Sequence, residues 1–186
     1  MYIPFKVRFN KAVKHAQKTF AAPAATVAWA ATLVACSNID CPLDNVVVMQ
    51  CNLYASETRS ALTLSDTLNI RPAGRDTVLL NRGTGISSFL LPLKENATSD
   101  TLLLVLSNTS GQSATDTLFV EHTPQPHFES LDCPASVFHT ITAVRATSHA
   151  LSQLPLTVDS VALVRPTVNY DDIENIRIFL RSTSRH

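Results

Sequence analysis

From residue 46 onward, stretches recur in which every second residue is apolar. Met49, Cys51 and Leu53 alternate with Gln50, Asn52 and Tyr54, while Leu62, Leu64, Leu68 and Ile70 alternate with Thr63, Ser65, Thr67 and Asn69. Leu118 and Val120 share one parity, as do Ile176, Ile178 and Leu180. A period of two gives a strand one buried and one wet face, and it is incompatible with an amphipathic helix. The continuous apolar run Leu102–Leu106 predicts a central strand buried on both faces. Further strands are expected near 76–80, 87–93, 136–144 and 157–164. All four glycines (Gly74, Gly83, Gly85 and Gly111) fall between these runs, where turns demand positive φ. No stretch after residue 36 carries a 3.6 period with caps, so the crossover helices of an α/β fold are missing. Eight to ten short strands over residues 45–182 predict an all-β fold, an antiparallel β-sandwich of immunoglobulin-like size.

The first 36 residues follow other rules. Lys6, Arg8, Lys11, Lys14 and Lys18 precede an apolar stretch from Phe20 to Ala35, which ends in Leu33-Val34-Ala35-Cys36. A basic segment followed by an apolar one of this length suits a secretory signal and falls short of a comfortable membrane span. Leu-Val-Ala-Cys resembles the lipobox of bacterial lipoproteins. The expectation is a signal peptide over 1–35, lipidation of Cys36, and a tether over 36–44. Acyl chains contribute about 0.8 kcal/mol per buried methylene, so two or more hold a soluble module at a bilayer surface. The expected location is the bacterial cell envelope, on the periplasmic or the surface face of the outer membrane.

Charge narrows the partners. From residue 36 on, 10 basic residues face 15 acidic ones, a net charge of −5. Lys94 is the single lysine there, and the arginines are scattered, so no nucleic acid partner is expected. An Asp-Ser/Thr-apolar pattern recurs at Asp66-Thr67-Leu68, Asp76-Thr77-Val78, Asp100-Thr101-Leu102, Asp116-Thr117-Leu118 and Asp159-Ser160-Val161. On propensity alone, Asp satisfies a turn and the residues after it enter a strand. The pattern also resembles the O-glycosylation acceptor of Bacteroides-type bacteria, which makes Thr67, Thr77, Thr101, Thr117 and Ser160 candidate acceptors.

With Cys36 lipidated, Cys41, Cys51 and Cys133 remain, enough for one disulfide and one free thiol. Cys51 shares the inward parity of Met49 and Leu53, which favours a buried thiol there and a Cys41–Cys133 bridge. A Cys51–Cys133 bridge is the rival. Closing a loop of about 90 residues contributes roughly 4–5 kcal/mol in the chain-entropy account. His122, His127 and His139 fit no metal-ligand spacing, so they read as structural histidines. Asp171, Asp172 and Glu174 lack the Asp-x-Asp-x-Asp-Gly loop of a calcium site and read as a turn. No nucleophile elbow, phosphate loop or zinc-protease helix motif is present, so no enzyme, cofactor or metal is expected.

Four segments together resemble one family: Leu43-Asp44-Asn45 after Cys41-Pro42, Asp76-Thr77-Val78-Leu79-Leu80-Asn81, His127 to Cys133, and Val168-Asn169-Tyr170-Asp171 with Glu174-Asn175-Ile176. The family comprises uncharacterised lipoproteins of Bacteroides-group bacteria, a domain of unknown function, and the resemblance spans about residues 36 to 181. It implies an envelope lipoprotein and paired cysteines at Cys41 and Cys133, and it supplies no catalytic residue. The expected role is a non-enzymatic interaction or structural accessory, with an envelope protein or a glycan as partner. Arg145, Arg165 and Tyr170 are candidates for a contact face. A glycan-binding module is the alternative, resting on Tyr54 and Tyr170, because Trp29 falls within the signal.

Overall fold

The computed structural model describes residues 46–131, 133–150 and 156–182. The expected signal peptide, Cys36, Cys41 and the tether lie outside them. Among the described residues the chain forms strands and no helix: β1 (Met49–Ala55), β2 (Thr67–Pro72), β3 (Leu80–Gly83), β4 (Ser88–Leu91), β5 (Ser99–Ser107), β6 (Ser113–His127), β7 (Ser136–Ala146), β8 (Leu156–Leu163), β9 (Thr167–Val168) and β10 (Glu174–Ser182). They make two sheets, β4-β1-β10-β8 and β3-β2-β5-β6-β7-β9.

The alternation sets the core. Met49, Cys51 and Leu53 of β1, Leu68 and Ile70 of β2, and Ile176 and Ile178 of β10 are buried. With Leu102, Leu104, Leu118 and Val120 they form one hydrophobic cluster fed by both sheets. Each such side chain contributes about 2 kcal/mol relative to exposure.

Four expectations are corrected. The six-stranded sheet is antiparallel throughout, but β1 and β10 pair in parallel, with Cys51 opposite Ile176 and Leu53 opposite Ile178. A parallel pair needs a long connection; here nearly the whole domain supplies it, which no local pattern can reveal. Leu102–Leu106 is buried on one face only, since Leu103 and Val105 stay half-buried. Their cross-strand neighbours are Arg71 and Thr117, and Asn69 and Thr115, so the outer face of β5 is polar on both sides. The strand expected at 76–80 starts at Leu80, and Val78 is exposed. The run at 62–70 is paired as a strand only from Thr67.

β6 runs through Pro124 and Pro126. The ladder to β5 ends at Glu121 and a last bond runs from His122 N–H to Thr98 O, so from Thr123 on β6 pairs with β7 alone. A proline costs little where the N–H side of a strand faces no partner. Two buried polar residues clasp one sheet to the other. Asn175 of β10 accepts from Gln50 N–H of β1 at 2.9 Å and donates to Thr167 O of β9 at 2.8 Å. Asp116 of β6 accepts the N–H of Val158 of β8 at 2.8 Å.

Candidate functional site

The pairing of β5 and β6 brings Asp100 opposite Val120, and His122 follows across an irregularity between Glu121 and His122. Leu118, Val120 and His122 share one parity, and so do Asp100, Leu102 and Leu104; all six are buried. His139 enters on β7 with the same inward face as Ile141. The result is a buried chain of polar groups. His122 Nε2 lies 3.1 Å from Asp100 Oδ2, and His139 Nδ1 lies 3.1 Å from His122 Nδ1. The two imidazoles meet edge to face, with centroids 4.8 Å apart. Lys94 completes the cluster: its backbone N–H donates to Asp100 Oδ2 at 2.9 Å, and its ammonium sits 3.3 Å from Oδ1. Burial, then the neighbouring His122, pushes the His139 imidazole down to about 4, against the pull of Asp100. His139 also lines a 310 Å³ pocket bounded by Val46, Val47, Leu93, Glu95 and Ser136.

A second acid–histidine pair sits elsewhere. Asp116 Oδ1 accepts from His149 N–H at 2.6 Å and lies 2.9 Å from His149 Nδ1, while Oδ2 takes the Thr157 hydroxyl at 3.2 Å. His149 Nε2 is buried and has no partner among the described residues.

Near the start of β7, rings gather. His127 stacks on Phe138 at 4.2 Å, and Tyr170 packs edge-on against Phe138 at 4.9 Å. The Tyr170 hydroxyl donates to Ser136 Oγ at 2.8 Å. His127 and Tyr170 come from two of the four segments that carry the family resemblance, and the fold places them together. Phe128 and Leu131, on the loop after β6, are exposed.

The structure distributes the residues singled out in the sequence as follows. Cys51 is a buried free thiol whose ionisation burial opposes strongly, as its parity predicts. Thr67, Thr101 and Thr117 are half-buried, each between two buried residues, Ser160 is half-buried in β8, and Thr77 is exposed. Of the aspartates before them, Asp66, Asp100 and Asp116 are buried, beyond what a turn role requires. His122 and His139 meet, whereas His127 stands apart in the ring cluster. Asp171 bonds Arg165 and Asn169, which hold its carboxyl below the usual carboxylate range. Glu174 instead bonds Tyr54 and Arg177, so these acids do not converge. Arg145, Arg165 and Tyr170 do not form one face. Arg145 lies over Phe119 at 3.8 Å, seven residues along β7 from Phe138, which is about 23 Å of strand. Sequence reasoning missed the Asp100–His122–His139 chain, although parity with the neighbouring leucines and valine already placed Asp100 and His122 inward.

No curated protein and no solved structure matches the chain. Residues 67–180, more than half of it and including Asp100, His122 and His139, match a family of unknown function, DUF6452. The chain is therefore a member of that family of unknown function.

Proposed function

We propose that the chain is a lipid-anchored lipoprotein of the bacterial cell envelope whose two sheets form a β-sandwich acting as a non-enzymatic interaction or structural accessory. One observation carries the reading: an apolar leader ending in Leu33-Val34-Ala35-Cys36 stands directly ahead of an all-β domain. Fatty-acid labelling tests it. Label on the wild-type chain that disappears in Cys36→Ala supports the anchor, and label that persists in the variant rejects it.

The Cys41–Cys133 bridge belongs to the same reading. Val46 and Val47 line one pocket with Ala135 and Ser136. Cys41 stands five residues before Val46 and Cys133 two before Ala135, so the short segments between have the reach to bring the cysteines together. Non-reducing peptide mapping tests it: a joined Cys41–Cys133 peptide is expected, and a Cys51–Cys133 peptide overturns the bridge together with the free Cys51 thiol. Glycosylation at Thr67, Thr77, Thr101, Thr117 and Ser160 is a further part of the proposal, and an unmodified intact mass of the native protein removes it.

A second reading, a glycan-binding module, is favoured by the ring cluster of His127, Phe138 and Tyr170 beside the pocket. Aromatic faces bind the C–H faces of sugars. Retention on immobilised polysaccharide, lost in Tyr170→Ala, tests it.

A further inference from the structure

The Asp100–His122–His139 chain has a direction. A carboxylate held by an ammonium accepts hydrogen bonds and offers none, so the 3.1 Å contact is His122 Nε2–H donating to Asp100 Oδ2. In the tautomer that this contact selects, His122 carries its proton on Nε2 and a lone pair on Nδ1. That lone pair faces His139 Nδ1 at 3.1 Å, so His139 donates from Nδ1. The remaining nitrogen of His139, Nε2, is left as a bare lone pair on the ring that lines the pocket. Partners that fix a tautomer in this way are how proteins prepare an imidazole for a ligand.

The rest of the pocket matches an uncharged hydroxylic molecule. Ser136 Oγ accepts from Tyr170 and keeps its own O–H to donate. Glu95 adds a carboxylate, while Val47, Leu93 and Val137 make apolar walls. An anion meets Glu95, and the nearest ammonium, that of Lys94, is engaged by Asp100. A volume of 310 Å³ sits at the lower end for small-molecule sites and holds one sugar ring. We propose that this pocket binds a small neutral polyhydroxylated molecule, the size of a single monosaccharide, with one ligand hydroxyl donating to His139 Nε2. The proposal rests on the glycan-binding reading for the source of such a ligand, and on the pocket for its chemistry.

Two-bond proton–nitrogen NMR of the full-length protein, titrated with methyl glycosides of glucose, galactose and mannose and with glycerol, tests it. The expected result is a His139 ring protonated at Nδ1 whose Nε2 resonance moves saturably with at least one glycoside. Ala135→Leu narrows the pocket at an exposed position and weakens that binding at least tenfold; Ser136→Ala weakens it several-fold. A His139 proton on Nε2 overturns the relay. The Nδ1–H tautomer with no saturable shift from any probe overturns the site, and so does an equal shift in Ala135→Leu. Retention on immobilised polysaccharide that survives Ala135→Leu and fails in Tyr170→Ala overturns the pocket while leaving the glycan-binding reading standing.

Discussion

Asp116 is fully buried, and its carboxylate joins β6 of one sheet to β8 of the other. Consider Asp116→Ala. The Val158 N–H then has no acceptor, and the His149 Nδ1 loses its partner at 2.9 Å. The His149 N–H keeps Thr157 Oγ1 at 3.1 Å, and the Thr157 hydroxyl keeps His149 O at 3.1 Å, so these two are partly relieved. One orphaned buried donor and one part-buried one, at 1–3 kcal/mol each, give a loss of about 4 kcal/mol. For a domain of this size that lowers Tm by roughly 12 °C. The urea midpoint falls by about 2 M, for a slope near 2 kcal/mol per M. Urea unfolding followed by circular dichroism, with slope and midpoint fitted separately, measures both. Asp76→Ala, at an exposed Asp of the same repeat, is the control and shifts stability by less than about 0.5 kcal/mol. A loss under 1 kcal/mol for Asp116→Ala, or one equal to that of Asp76→Ala, refutes the cross-sheet clasp.

Three more outcomes follow from single residues. His139 titrates near 4, below the usual 6.5, so the folded state binds fewer protons in between. Its contribution is intact above pH 6.5 and is lost as pH falls toward 4; with the pocket edge of the ring wetted, this is about 2 kcal/mol. A urea pH series on His139→Gln, flatter than wild type over that window, checks it. Cys51 is buried with its ionisation strongly opposed, so iodoacetamide at pH 8 leaves the Cys51 peptide unmodified until denaturant is added; mass spectrometry reads this. Asp66 is buried, its Oδ2 lacks a partner among the described residues, and desolvation raises its carboxyl above the ordinary range. Asp66→Asn therefore keeps or raises stability at pH 7, by up to about 1 kcal/mol, which calorimetry reads as a thermal midpoint higher by up to about 3 °C.

Period-two alternation was enough to read the strand class and most inward residues of β1, β2 and β10 and the Leu118–Val120 face of β6, because parity is a local property of the backbone. What parity cannot carry is pairing. The parallel contact of Cys51 with Ile176 joins positions 125 apart, and no short segment specifies which strand lies beside which. The continuous run at Leu102–Leu106 misled for a related reason. Apolar side chains on the outer face of β5 rest against Arg71, Asn69, Thr115 and Thr117 of its neighbours, and only the pairing shows that. The site was half legible. Asp100 and His122 carry inward parity, but their meeting with His139 depends on the irregularity at Glu121/His122 and on which strand follows β6.

The Asp-Thr-Leu repeat divides its residues between the two faces of a strand. In β5 and β6 the Asp and the Leu point into the core, and the Thr between them points out. Asp100 and Asp116 spend their inward position on buried hydrogen bonds, to Lys94 and His122 in one case and to His149 and Val158 in the other. Thr101 and Thr117 stand on the opposite face, so their hydroxyls take no part in those networks. A structural reading of the Asp and a modification reading of the Thr are thus not rivals. Replacing the Asp perturbs the fold, while replacing the Thr changes only the outer surface. The same parity explains why the pattern mixes a charged residue into strands that are otherwise apolar inside. A buried carboxylate at a fixed register accepts donors from one neighbouring segment in one geometry, so it penalises alternative strand registers more than another leucine does.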